Sequence, residues 1–408
     1  MKLKDIFTEK TKRNSNFELL RIVSILLIIA HHFAVHSGIY YDASNIGFNS
    51  LFIKLLNYGG EMGVNCFVLI SGYFLVKDER LDFRKIIQLW VKVFVYSVVL
   101  YAAFAAAGKL EFSWQGLVRS FFPILTNYWW FITTYFIVYL LHPFINMALR
   151  NINQKAYVVM LVIMFVLWSL IPTISKSLVI TNIIPVFSGY EMEAVQFSRI
   201  VWFVFLYCLA GFVRLHVATK NLNFKPFLWV AVAVFVVLFI VSIAVFAGFK
   251  SNHYYNDMET LQMLIPAVLL LCACACAEPH NNKVINFIAS STLGVYLLHE
   301  HGPTTRPYIW KDLFHGSEFA DKPILILYAL GALAAVFVVC LAIDLAYTYS
   351  IELLLKKALE TEKGNKLCDR LSVSVAQTAV VVEPAQSNEQ PVENATEQTQ
   401  NDKETTNN

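Results

Sequence analysis

The chain has 408 residues, of which 57% are hydrophobic and only 15% charged. Soluble domains carry about one-quarter charged residues, so a single large soluble core is excluded and a polytopic membrane protein is indicated. The net charge of +3 is spread along the chain without a basic block, which argues against nucleic acid as a partner.

Residues 1–16 form a basic segment that includes Lys2, Lys4, Lys10, Lys12 and Arg13. The apolar run that follows contains histidines and lacks a small-x-small exit, so it reads as a retained first span and not as a cleavable signal. Apolar runs of about 20 residues lie roughly at 17–37, 60–76, 86–107, 129–149, 156–174, 198–214, 226–248, 260–277, 286–300 and 323–350. The second and ninth are short. The expected fold is all-α, a polytopic membrane bundle of about ten transmembrane helices.

Lysine and arginine distribution orients this bundle. With the N-terminus inside, the inner loops hold Lys77, Arg80, Arg84, Lys85, Arg150, Lys155, Arg214, Lys220 and Lys225, with Lys356, Lys357 and Lys363 after the last span. The outer loops hold mostly single lysines, so both termini are expected in the cytoplasm. The loop at 301–322, with Arg306, Lys311 and Lys322, fits this pattern least well. From about residue 361 to 408 the sequence is rich in Gln, Glu, Thr and Asn and almost free of aromatics. That composition predicts a disordered polar cytoplasmic tail.

The first span, ELLRIVSILLIIAHHFAV, carries Glu18, Arg21, His31 and His32. Ionisable groups in hydrocarbon are costly and mark function by default. Ten residues separate Arg21 from His32. On a helix that is about 16.5 Å of rise and roughly 20° of rotation, so the two share a face. Glu18 lies one turn before Arg21 and can orient it by an ion pair. His31 points about 80° away from the Arg21 direction. Arginine offers a donor fork that matches phosphate, and imidazole titrates near neutrality. The face therefore reads as an anion site at one end and a proton-transfer site at the other. Two other readings stand beside it. Arg21 can snorkel to the headgroups and help set topology, and His32 can be a hydrogen-bonded interior histidine. His32 and His36 are spaced i,i+4 as a metal pair would be, but no carboxylate or thiol pattern elsewhere supports one, and no metal is expected.

Other polar residues qualify as substrate contacts. Glu61 and Asn65 precede the Ser71-Gly72-Tyr73 segment of the second span and can bind hydroxyls or cap the helix. His299 and Glu300 close the ninth span. Trp129, Trp130 and Tyr135 can stack on a sugar ring or form an interfacial aromatic belt, and His142, beside Pro143, is expected at the interface. Cys272, Cys274 and Cys276 alternate within one apolar run, which places them on different helix faces as packing residues and not as a metal site.

The Arg-X10-His pattern from Arg21 to His32, with Glu18 three residues earlier, resembles that of the acyltransferase-3 family of integral membrane acyltransferases. Further matches follow in order: GGEMGVNCFVLISGYFL at 59–75, RKIIQLWVKVFVYS at 84–97, WWFITTYFIVYLLHPFIN at 129–146, WFVFLYCLAGFVR at 202–214 and STLGVYLLHEH at 291–301. The likeness covers roughly residues 15–350, and the membrane domain is set at 17–356. It implies transfer of an acyl group, most often acetyl from acetyl-CoA or another acyl-CoA, to a hydroxyl of an envelope glycan or polysaccharide. The setting it implies is the plasma or inner membrane. It further implies His32 as the base, assisted by Glu18, with Arg21, Arg84, Lys85 and Lys92 holding the coenzyme phosphates. His31, Glu61, Asn65, Ser71, Trp130 and His299 would meet substrate. Whether His32 acts only as a base or carries the acyl group stays open. A glycan or lipid-intermediate transporter is the rival reading, against which the sequence shows no pair of similar halves.

Overall fold

The computed structural model describes residues 13–41, 46–175, 198–217, 219, 222–249 and 257–375, all within one compact unit. The N-terminal basic residues 1–12 and the tail 376–408 lie outside the described residues, as do 176–197 and the remaining short loop stretches.

The chain folds as helices. They are α1 (Ser15–His36), α2 (Phe48–Tyr58), α3 (Gly60–Leu75), α4 (Phe83–Ala106), α5 (Trp114–Phe121), α6 (Trp130–Arg150), α7 (Gln154–Phe165, continued by a π turn), α8 (Arg199–His216), α9 (Phe224–Phe249), α10 (Leu261–Cys276), α11 (Lys283–Ala289), α12 (Thr292–His299), α13 (Leu325–Tyr347), α14 (Leu353–Glu360) and α15 (Glu362–Leu371). Two two-residue strands, β1 (Arg80–Leu81) and β2 (Val373–Ser374), pair antiparallel. Nine of the ten expected spans each coincide with one helical stretch, and the span expected at 286–300 is split between α11 and α12. Among the described residues, seven helical stretches are long and apolar enough to cross a membrane, and α3, α10 and the α11–α12 pair are shorter. The protein is a helical membrane bundle.

Local chemistry starts these helices. Asn14, Asp82, Asn153 and Asn282 each accept a backbone N–H with their side chain at a helix N-terminus, which fills donors the helix leaves open. An 18-residue window of α9 has a mean hydropathy of 3.2, and Trp229, Val230 and Val237 are exposed on the helix, as suits a surface solvated by lipid.

α1 is the central element, packed by α2, α3, α11 and α13. Its contact with α3 is set by glycine. A Cβ at Gly63 would lie 2.7 Å from the Ser24 carbonyl oxygen, one at Gly59 would lie 2.8 Å from Leu27, and one at Gly60 would overlap the His31 side chain. Small residues at this spacing let the two backbones approach closely. A second clamp joins α3, α8 and the turn before α10: the buried Asn65 amide donates to the Met258 carbonyl at 2.8 Å and accepts from Trp202 Nε1 at 3.0 Å.

Three expectations about individual segments are corrected. The polar tail does not start at 361. Thr361 caps α15, Arg84 donates to Asn365 at 2.7 Å, Arg80 pairs with Asp369 at 2.7 Å, and β2 pairs with β1. Leu367, Cys368 and Leu371 have helical spacing, and Cys368 is buried, so residues 361–375 belong to the folded unit. Pro143 sits inside α6, and His142 is fully buried with Nδ1 2.5 Å from the Tyr139 carbonyl oxygen. Trp129 is likewise interior and donates to the Leu297 carbonyl at 3.1 Å.

Candidate active site

Glu18, Arg21, Ile25, Ile28 and His32 follow one another at three- and four-residue steps along α1, and all line one cavity of about 270 Å³. His31 joins them at its edge. The opposite walls come from Glu61, Val64, Phe67 and Ser71 of α3, from Trp130, Phe131 and Tyr135 of α6, and from the break between α11 and α12. One end is basic, with Arg21 and Arg13. Isoleucine, valine and phenylalanine form the middle, and the two histidines stand at the other end. Glu18 is buried and holds Arg21 by an Oε1–guanidinium contact of 2.5 Å, which fixes the donor fork at the cavity wall.

The histidine end is ordered by donor–acceptor matching. His299 Nδ1 lies 2.6 Å from the Val295 carbonyl oxygen. A carbonyl only accepts, so Nδ1 carries the proton and Nε2 of neutral His299 is an acceptor. His32 Nδ1 lies 2.9 Å from that Nε2 and donates to it. The lone pair of His32 is thereby assigned to Nε2, which has no hydrogen-bond partner among the described residues and belongs to a cavity-lining side chain. The buried Glu300 places Oε2 3.2 Å from His32 Nδ1. Arg306 binds Glu300 Oε1 at 2.5 Å, and His36 Nε2 lies 3.8 Å from the same oxygen. A base supported by a buried acceptor and a carboxylate is a recurring way to orient an imidazole and stabilise its charged form. His32, His36 and Glu300 also offer ligand atoms within 4.8 Å of one another, but the Arg306 guanidinium already matches the single carboxylate charge of that cluster.

His31 is fixed differently. Its Nδ1 lies 2.8 Å from the Asn57 carbonyl oxygen, and Gly60 packs against its ring. Its ring centroid is 5.7 Å from that of His32.

The structure thus gathers Glu18, Arg21, His31, His32, Glu61, Ser71 and Trp130 around one cavity. It separates the other sequence candidates from it. Asn65 is spent on the interhelical clamp and does not line the cavity. His299 supports His32 and does not line the cavity itself. Lys92 pairs with the buried Asp344 at 2.8 Å, Arg84 donates to Asn365, and Lys85 lies 3.5 Å from Asp78. These three cations are engaged with the α13–α15 side of the bundle and with the 76–82 loop. Arg13, Arg306 and Tyr296 are the additions. Arg306 stands in an outer loop by sequence, with no spacing that links it to α1, and only the fold brings it to Glu300.

The acyltransferase-domain family profile matches residues 14–345. The chain belongs to the acyltransferase-3 family. No curated protein and no solved structure matches it. It is a membrane acyltransferase, and the matched region begins just before Ser15 and contains every cavity-lining residue except Arg13.

Proposed function

We propose that this acyltransferase moves an acetyl group from acetyl-CoA to a hydroxyl of an envelope glycan, with His32 as the reacting imidazole. The observation that carries this reading is the single cavity with Arg21 at one end and His32 at the other. Their separation of about 16.5 Å along the helix is of the order of an extended phosphopantetheine arm. Arg21 and Arg13 would hold coenzyme phosphates at the cytoplasmic side, as the positive-inside pattern supports. The apolar middle of the cavity would take the arm, and the thioester would reach His32. His32 Nε2 would then promote transfer to the acceptor hydroxyl, either as its base or as the carrier of the acyl group. Glu300 would stabilise the ring as it gains charge. The glycan would enter from the far side of the plasma or inner membrane.

The test uses membranes containing wild type or His32→Ala with radiolabelled acetyl-CoA. Label in envelope glycan with the wild type alone is the expected result. Equal label with both proteins removes His32 from the mechanism. No label with well-inserted wild type rejects acetyl-CoA as donor.

A further inference from the structure

The cavity holds two histidines, and the fold fixes both. His31 Nδ1 faces the Asn57 carbonyl oxygen at 2.8 Å, which only accepts, so the proton sits on Nδ1 and the lone pair on Nε2. His31 lines the cavity, as does Glu61. Gly60 leaves room for the ring. A larger residue there would displace it. His32 is the only one of the two with a carboxylate at its Nδ1, so His32 is the better placed to bear positive charge.

We infer that the two histidines divide the reaction: His32 carries the acyl group and His31 is the base for the acceptor. This rests on the acyltransferase reading above. In the first step His32 Nε2 bonds to the thioester carbon, the C–S bond breaks, and the coenzyme leaves as thiolate with the electron pair. The acyl-imidazolium faces Glu300. In the second step the acceptor oxygen bonds to the acyl carbon, its proton passes to His31 Nε2, and the C–N bond electrons return to His32. His31 then gives its proton to solvent, matching the one the thiolate takes up. Transfer through a covalent intermediate lets the coenzyme and the glycan use the cavity in turn.

The two half-reactions have separate readouts. Exchange of radiolabelled CoA into acetyl-CoA reports the first without any acceptor. Label from acetyl-CoA in the extracted envelope polysaccharide of the source cells reports the second. Wild type should show both, and His32→Gln neither. In His31→Gln the ratio of transfer to exchange should fall by about 10²–10³-fold. His31→Asn is measured alongside it. A ratio within threefold of wild type in His31→Gln overturns the division of labour, as does loss of exchange together with transfer in both His31 variants. Wild-type transfer without exchange rejects the covalent route and leaves the acyltransferase reading standing. Wild type with neither exchange nor transfer rejects both.

Discussion

Replacing Glu300 by Gln tests the support of His32 most directly. Gln keeps the shape and an oxygen that can accept from Arg306, but it removes the charge 3.2 Å from His32 Nδ1. A full positive charge on the ring interacts with the carboxylate by roughly 5 kcal/mol at that distance and an effective dielectric of about 20. Arg306, 2.5 Å from the other oxygen, opposes the ring charge. Taking about half as the net effect leaves roughly 2.5 kcal/mol, or close to 100-fold in rate. Purified protein in lipid nanodiscs, with CoA release followed by a thiol reagent, should show kcat down by about that factor. KM for acetyl-CoA should be unchanged, because Arg21 and Arg13 lie at the far end of the cavity. Activity within threefold of wild type would refute the role given to Glu300. A loss confined to KM would do the same.

The remaining predictions concern what holds the site in place. Asn65→Ala strands the Trp202 N–H and the Met258 carbonyl in the interior, so thermal melting in detergent should show a loss of about 1–3 kcal/mol. The fraction that folds should retain most of its specific activity. Asp344→Ala removes the carboxylate 2.8 Å from the buried Lys92 and leaves it only the more distant Glu352, at 3.9 Å. It should cost about 3–5 kcal/mol, and Lys92→Met in the same chain should restore part of the melting temperature. Gly63→Val forces α3 away from the Ser24 carbonyl, so folded yield should fall sharply, while Gly108→Val, where nothing lies within 4 Å of a Cβ, should leave the packing intact despite its strained positive φ. Truncation after residue 375 should leave limited proteolysis of the 76–84 loop unchanged. Truncation after 360 removes the Asp369 and Asn365 contacts and β2 and should make that loop a cleavage site.

The spans, the shared face of Arg21 and His32, and the Glu18 ion pair were legible in the sequence because each is a local property: hydropathy over 20 residues, or rotation along a single helix. Arg84, Lys85 and Lys92 do not line the cavity and meet Asn365, Asp78 and Asp344 instead, because sequence shows that a cation is present but not which group it meets. Asp344 lies 252 positions from Lys92 yet takes its charge. His299 was visible as a polar residue in an apolar segment, but its purpose was not. A histidine at the end of a short helix can face water, a sugar or another histidine, and only the packing of the α11–α12 pair parallel to α1, with Asn286 at Ser15 and His299 at His32, decides among them. The same holds for Arg306. The ninth span is short because the helix breaks at Ser290 and Ser291, and that break does two things at once. It lines the cavity with Ser290 and Thr292, and it starts a second helix whose last residue, His299, and the Glu300 that follows support His32. One interruption in α11–α12 therefore couples both ends of the cavity, which is why the spacing of Arg21 and His32 along α1 has a counterpart in the short length of α12.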